Sequence, residues 1–163
     1  MSEMTLTRPS DEDGAHVLLD EITRPVVAFV DAVNRGDLDA AVDELAPGAL
    51  HYGRISNYRP DGVRVLFGML RTVFPDLRLD IRDLSVDGDW VTTTIVATGT
   101  HTGSFLGQPA TGKPVAWQSV DVAEMGELDG ADGSYWKILR RFWDLWGDPS
   151  LWRDIGFVPA IMC

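Results

Sequence analysis

Hydrophobic side chains recur at helical spacing in three segments of the first half of the chain. The first segment is Glu21–Asn34, where one face is apolar and Gly36 follows as a left-handed stop. Asp37 predicts the N-cap of a short second helix at Leu38–Leu45. The third segment, Asp61–Phe74, ends before a Pro-Asp pair that cannot continue a helix. We therefore expect three helices before any sheet.

The pattern then changes to alternating apolar and polar residues, which is typical of half-buried strands. Such runs occupy Leu77–Arg82, Trp90–Thr98, Pro114–Ala123 and Tyr135–Trp146. Asp87-Gly88 predicts a hairpin turn, a loop is expected at Gly126–Gly133, and Asp148-Pro149 opens a last helical turn. Leu50–Ser56 fits either a short strand or an irregular crossing. This order predicts an α+β fold, in which helices pack on a strongly curved, mostly antiparallel sheet and enclose a small-molecule pocket.

Length and charge narrow the class of protein. The 163 residues predict one domain at 16–163, after a polar segment at 1–15 that we expect to be a disordered tail. A net charge of -11 argues against nucleic acid or an anionic membrane surface as a partner. The single cysteine, Cys163, allows no internal disulfide, and Met1–Gly14 has no signal-peptide pattern. We therefore expect a cytoplasmic protein.

Asp144 is the first candidate catalytic residue. Strict alternation along the last strand places Arg140, Phe142, Asp144 and Trp146 on one face. If that face lines the pocket, desolvation raises the pKa of Asp144 toward the range that general acid-base catalysis needs at neutral pH. The alternative is an exposed carboxylate, or one paired with an arginine of an adjacent strand.

Asp121 is the second candidate acid, because Trp117 and Ser119 lie on the same face of the preceding strand. Two carboxylates in one pocket would push their pKa values apart and leave one protonated. The alternative is a strand residue paired with Arg140 or Arg141. The tryptophans of the last two strands form either a wall for a flat ligand or simply part of the core.

Two histidines complete the candidate set. His101 ends a predicted strand, where it either polarises a carbonyl and shuttles a proton or hydrogen-bonds the backbone of the tight turn that follows. His51 reaches the pocket mouth or lies on the surface. The histidines are far apart and lack a cysteine partner, so we expect no metal site. The run Gly107–Lys113 is followed by Pro114 and a strand, which excludes a phosphate-binding loop.

Four segments resemble the SnoaL-like polyketide cyclase family in their order along the chain. They are Asn34-Arg35-Gly36-Asp37, Phe74-Pro75-Asp76-Leu77, the glycine-rich corner Gly99–Lys113, and Trp143-Asp144. The similarity extends from Thr23 to Phe157. It implies a cone-shaped α+β barrel, cofactor-free chemistry on a polyketide, and a homo-oligomer, either dimer or tetramer, built on the sheet.

The same resemblance implies a role for Asp144. In these cyclases the aspartate of an "E-H-W-D" strand is the acid-base group of an aldol ring closure, and Asp144 matches it. Phe142 stands in place of the family histidine, Arg141 in place of the glutamate, and the strand carries an extra residue before Trp143. Relatives with this fold also hydroxylate without a cofactor, open epoxides, fold a polyene for cycloaddition, or bind ligands without catalysis. An aromatic pocket with few protic groups would suit ring closure by positioning alone.

Overall fold

In this computed structural model, the described backbone comprises residues 2–53, 56–144 and 148–156, and the described side chains begin at residue 18. The four helices are α1 (Ser2–Asn34), α2 (Leu38–Asp43), α3 (Pro60–Val73) and α4 (Pro149–Asp154). The helices predicted from apolar spacing are confirmed. The expected order of three helices before any sheet is wrong, because strands at Leu45–Tyr52 and Asn57–Tyr58 precede α3. The backbone of α1 begins earlier than the hydrophobic pattern indicates, because the polar segment before it carries no apolar period. None of the helices in these ranges is long and apolar enough to span a membrane.

Six strands form one mixed sheet. They are β1 (Leu45–Tyr52), β2 (Asn57–Tyr58), β3 (Arg78–Asp87), β4 (Trp90–Thr100), β5 (Pro114–Gly130) and β6 (Gly133–Trp143). Their order is β2-β1-β6-β5-β4-β3, and only the β1–β6 pairing is parallel. The α+β class is confirmed, but the sheet is open, with β2 and β3 as edges, so it is not a closed barrel. The expected loop at Gly126–Gly133 is wrong, because β5 and β6 pair up to Gly130 and Gly133 across a tight turn.

The segments that carry the family resemblance form hydrogen bonds and close contacts where the helices meet the sheet. Asn34 pairs its side-chain amide with the backbone N–H and C=O of Leu79, at 2.7 and 2.8 Å. Asp37 caps α2 by accepting a hydrogen bond from the Ala40 N–H. The Asn34 contacts fix the end of α1 against β3, and the Asp37 cap satisfies a backbone N–H at the start of α2 that would otherwise lack a partner.

The glycine-rich corner packs on the end of α3. Phe74 is fully buried and lies against Gly99, where an added Cβ would be only 2.8 Å from its side chain. Asp76 then accepts hydrogen bonds from the N–H and hydroxyl of Thr100, both at 2.7 Å. Glycine is required here because helix and strand approach too closely for a side chain.

Apolar side chains of α1 and α3 cover the inner face of the sheet. The rings of Phe29 on α1 and Phe67 on α3 meet edge to face, with centroids 5.5 Å apart. Opposite them, β5 alternates buried and exposed positions along most of its length. Polar side chains at buried positions of this strand therefore point into the space between helices and sheet.

Candidate functional site

Asp121 lies on the inner face of β5, as the alternation predicts. Its side chain is buried together with those of Trp117 and Ser119. The Ser119 hydroxyl donates a hydrogen bond to Asp121 Oδ1 at 2.9 Å. Across the sheet, buried Thr93 of β4 is the backbone partner of Asp121, and Trp143 of β6 is its partner on the other side. Asp121 is thus a carboxylate held inside the molecule by rigid strands.

A β-bulge at Leu139 reverses which side chains of β6 face inward. Asp144 therefore does not lie where the sequence pattern predicts. The pairing with β5 shifts between Met125, which faces Ile138, and Glu124, which faces Arg140. Beyond the bulge, Arg141 and Trp143 therefore face inward, because an extra residue moves every later side chain to the opposite face. The assignment of Arg140, Phe142 and Asp144 to the inner face is wrong.

All three of these residues lie elsewhere. Arg140 pairs with Glu124 and lies over the ring of Trp90 on the outer face of the sheet. Phe142 is 41% exposed and stacks on Tyr52, with ring centroids 4.7 Å apart. Asp144 is half-buried, donates its backbone N–H to the Val120 carbonyl at 3.2 Å, and borders a shallow pocket with Gln118 and Asp148. Trp146, expected on the same face, lies outside the described residues.

Arg141 occupies the centre of the buried polar cluster. Its Nε–H donates to His51 Nδ1 at 3.2 Å, and its Nη1 lies 3.7 Å from Asp121 Oδ2. The guanidinium lies between the rings of Phe29 and Trp143, 4.3 Å from each centroid. Its neighbour across the β5–β6 pairing is Ala123, whose small side chain leaves room for it. The alternative role proposed for Asp121, a pairing with Arg141, is therefore present in the structure.

His51 reaches the cluster from β1, where it is the parallel-strand partner of Arg141. The imidazole is fully buried and tilts against Trp143, with ring centroids 5.6 Å apart. An arginine Nε always donates, so His51 Nδ1 is the acceptor and the proton of the neutral ring lies on Nε2. Burial and the charge of Arg141 lower the pKa of His51 from 6.5 to about 2. The imidazole is therefore neutral at physiological pH. Of the two alternatives for His51, the surface position is wrong, because the side chain is fully buried.

Burial also shifts the pKa values of Asp121 and Arg141. Desolvation raises the pKa of Asp121, while Arg141 and the Ser119 hydroxyl act in the opposite direction by favouring the carboxylate. Desolvation lowers the pKa of Arg141 to about 10, and Asp121 opposes that change. Arg141 stays cationic at neutral pH, and Asp121 is an acid less ready to ionise than an exposed one.

Two cavities flank this cluster. The inner one, the chamber, has a volume of only about 10 Å³ and is lined in part by Phe67, Ser119, Asp121 and Trp143. The outer one, of about 430 Å³, is mostly apolar and is lined by Tyr58, Gly62, Val65, Leu66, Met69, Phe105, Leu106 and Trp152. Tyr58 of the outer pocket meets Trp143 of the chamber edge to face, at 6.0 Å between centroids. The chamber holds about one water molecule, whereas the outer pocket has the size of a small-molecule site.

The other predicted site residues pack within the glycine-rich corner. His101 is fully buried, and its Nδ1 lies 3.0 Å from Thr111 Oγ1 and accepts a hydrogen bond from the Thr111 N–H. Trp117 packs on Phe74 at 5.3 Å between ring centroids. Neither residue lines the chamber or the outer pocket. His101 therefore hydrogen-bonds the backbone of the glycine-rich corner at Thr111, and not the turn directly after it. The core alternative for Trp117 matches the geometry.

Sequence reasoning missed Arg141 and Trp143 as site residues. One signal was available: Gly126, the strand partner of Lys137, lies close to the bulge, and an isolated glycine in a strand often marks one. A Cβ at Gly126 would lie 2.4 Å from Leu139 Cδ1, so the glycine makes the space that the bulged residue fills. The described ranges contain no group of three or more metal-ligating side chains that could hold an ion.

A curved sheet covered by helices, with ionisable groups buried between them, defines an α+β fold that encloses a small, mostly apolar chamber with an acid on its wall. Residues 24–129 match the SnoaL-like polyketide cyclase family, and the chain belongs to this family. A relative, the nogalonic acid methyl ester cyclase of Streptomyces nogalater, is 28% identical over 135 residues, which are 77% of this chain and 99% of the relative.

Solved structures share the fold. AclR of Streptomyces galilaeus, a candidate hydroxylase, superposes with a TM-score of 0.69 at 26% identity, over 85% of this chain and 87% of AclR. IdmH of Streptomyces antibioticus, a candidate polyketide cyclase, gives a TM-score of 0.68 at 22% identity, over 83% of this chain and 99% of IdmH. These similarities establish the architecture, and the chemistry has to be argued from the site.

Proposed function

We propose that this protein closes a ring in a polyketide ester, with Asp121 as the proton-transfer group. The observation that carries the proposal is the burial of the Asp121 carboxyl in an apolar chamber, in a chain that belongs to a cyclase family. Asp121 is the fully inward-facing acid of the described residues, whereas Asp144 borders the outer face. The similarity to a methyl ester cyclase supports an ester substrate.

The reaction is an intramolecular aldol closure. Asp121 takes a proton from a carbon between two carbonyl groups, and the resulting enolate carbon forms a bond to a ketone carbon of the same molecule. The alkoxide that results takes back the proton, so the carboxylate is restored and neither oxidant nor cofactor is consumed. A raised carboxyl pKa suits this role, because a stronger base takes a proton from carbon more readily and can still return it.

Substrate access requires the chamber to open. Its volume of about 10 Å³ holds no ring, while the outer pocket of about 430 Å³ takes an apolar polycycle. The contacting rings of Tyr58 and Trp143 lie between the outer pocket and the chamber. Displacement of these rings would open a path that brings a substrate carbon to Asp121. Positioning in an aromatic enclosure would add to the rate by holding the reacting carbons together.

The test compares two isosteric variants on nogalonic acid methyl ester, with ring closure followed by chromatography and mass spectrometry. Asp121→Asn should lower turnover by about 100-fold or more, whereas Asp144→Asn should stay within about threefold of the parent. The reverse result would restore Asp144 as the proton-transfer group. Full activity of both variants would eliminate acid-base catalysis and leave ring closure by positioning.

A second candidate function is cofactor-independent hydroxylation. The similarity to AclR, a candidate hydroxylase at 26% identity and a TM-score of 0.69, favours it. The two functions differ in their need for oxygen, since an aldol closure leaves the oxidation state of the molecule unchanged. Under nitrogen, ring closure should proceed at the full rate. Oxygen uptake matched to product, with label from ¹⁸O₂ in the product, would identify the hydroxylase instead.

A further inference from the structure

We infer that Arg141 and His51 bind an anionic oxygen of the ligand, as a carboxylate or an ionised enol. This inference deepens the proposed function, because it names the chemistry of the group that enters the site. It rests on two buried donors, Arg141 Nη2 and His51 Nε2, neither of which has a hydrogen-bond partner among the described residues. Two other buried atoms, His101 Nε2 and Trp117 Nε1, also lack a partner. Arg141 and His51 differ from them because they contact each other and Arg141 lies beside Asp121, so their two unpaired donors point to a shared acceptor.

Both unpaired atoms, Arg141 Nη2 and His51 Nε2, are hydrogen-bond donors, so their partner must be an acceptor. Guanidinium nitrogens can only donate, and His51 Nδ1 already accepts from Arg141 Nε–H, which leaves the imidazole proton on Nε2. An oxygen with lone pairs satisfies them, whereas an amine or a second cation does not. The charge of Arg141 makes an anionic oxygen the better partner than a neutral carbonyl, because charge-assisted hydrogen bonds are stronger.

Asp121 does not satisfy Arg141 by itself. Arg141 Nη1 lies 3.7 Å from Asp121 Oδ2, which is beyond hydrogen-bond distance, and Asp121 Oδ1 is engaged by Ser119. The aromatic rings of Phe29 and Trp143 hold the guanidinium from both sides and exclude bulk water. The cation is therefore fixed in place but incompletely paired, which is the state expected of a preorganised anion site.

The anionic oxygen has two possible sources, a carboxylate and an ionised enol, and matched probe compounds distinguish between them. Rhein, aloe-emodin and chrysophanol share one dihydroxyanthraquinone skeleton and carry a carboxylate, a hydroxymethyl or a methyl group at one position. Calorimetric titration of the protein should show rhein binding about tenfold or more tighter than the other two if the site takes a carboxylate. Alizarin changes colour when its hydroxyl ionises, so a lowered ionisation midpoint in the bound state would identify an enolate-type anion.

Two arginine variants provide the control. Arg141→Met keeps an unbranched side chain between the two rings and should abolish both the preference for rhein and the alizarin shift. Arg140→Met removes the same charge from the outer face and should retain both. If Arg141→Met does not fold, as judged by its thermal melt, Asp121→Asn serves instead. Loss of the competing carboxylate should then tighten rhein binding, since Arg141 gains a freer donor.

The outcomes distinguish this inference from the proposed ring closure. Equal binding of rhein, aloe-emodin and chrysophanol with no alizarin shift would overturn the anion site. Absence of binding, or preferences that survive in Arg141→Met, would overturn it as well. A ring closure that still depends on Asp121 would leave the function standing in those cases. Conversely, a strong rhein preference in a protein whose Asp121→Asn variant is fully active would retain the anion site and reject the acid-base mechanism.

Discussion

The neutral state of His51 predicts that mild acidification destabilises the folded protein. The imidazole is fully buried and accepts a hydrogen bond from Arg141, and its pKa falls from 6.5 to about 2. When the pH drops below 6.5, the unfolded chain protonates His51 while the folded chain does not. Protonation therefore stabilises only the unfolded state, and the free energy of unfolding decreases as the pH falls.

The magnitude follows from linkage alone. Each pH unit below the unfolded pKa of 6.5 costs about 1.4 kcal/mol as long as the folded pKa lies lower still. At about pH 5 the loss from His51 is thus about 2 kcal/mol, compared with almost none at about pH 7.5. This figure does not depend on the exact folded pKa, because a pKa near 2 and one near 3 give the same result at pH 5.

The matched variant is His51→Asn, whose amide oxygen can accept from Arg141 but which does not titrate. Urea unfolding of both proteins between about pH 7.5 and pH 5 should show the parent losing about 2 kcal/mol more than the variant. The corresponding difference in melting temperature is about 4–8 °C for a chain of this size. Asp121 changes stability in the other direction, since its raised pKa lets the folded state take up a proton first as the pH falls. That contribution is common to both proteins and cancels in the comparison.

Parallel stability curves for the two proteins would refute the reasoning. They would mean that the folded protein protonates His51 as readily as the unfolded chain, so that Nδ1 is not committed to Arg141. The assignment of the imidazole proton to Nε2, on which the anion site depends, would fail with it. Nitrogen chemical shifts of the labelled histidine report the tautomer directly and would show the same failure.

Two further substitutions test the packing of the fold, and a third tests the expected homo-oligomer. Gly68→Ala in α3 should raise the free energy of unfolding by about 0.5–1 kcal/mol, because the nearest atom to the added Cβ is Leu38 Cδ1 at 3.8 Å. Gly103→Ala should lower it by about 1–3 kcal/mol in the same denaturant titration, since its Cβ would lie 2.5 Å from the Thr72 carbonyl oxygen. Phe142→Glu, on the outer sheet face where we expect a homo-oligomer to form, should shift the mass measured by light scattering toward the monomer; an unchanged mass would place any interface elsewhere.

The elements that sequence reasoning predicted best are those with a local physical cause. The apolar face of Glu21–Asn34, the cap at Asp37 and the break after Phe74 each follow from a few neighbouring residues, and the structure has helices and ends there. The parallel pairing of β1 with β6 was not predicted. It joins residues such as His51 and Arg141, which are 90 positions apart, and no local pattern encodes such a contact.

The position of Asp144 shows where local reasoning fails. Alternation along a strand is reliable only while the pairing stays regular, and the single extra residue Leu139 reverses it for the rest of β6. The cause lies on another strand, because Gly126 of β5 provides the space into which Leu139 folds. Alternation read along one strand therefore misses a bulge whose cause lies on the neighbouring strand.

The phase of β6 also decides the electrostatics of the chamber. A chain with a net charge of -11 is an unexpected host for an anionic group. Surface charges more than about 8 Å away are largely screened at physiological ionic strength, whereas a buried cation is screened far less. Arg141 is held between two aromatic rings, so at the proposed anion site its local charge would outweigh the distant surface charge. Had the bulge been absent, strict alternation would have turned Arg140 inward in its place and left Arg141 in solvent, where its charge would contribute little to recognition.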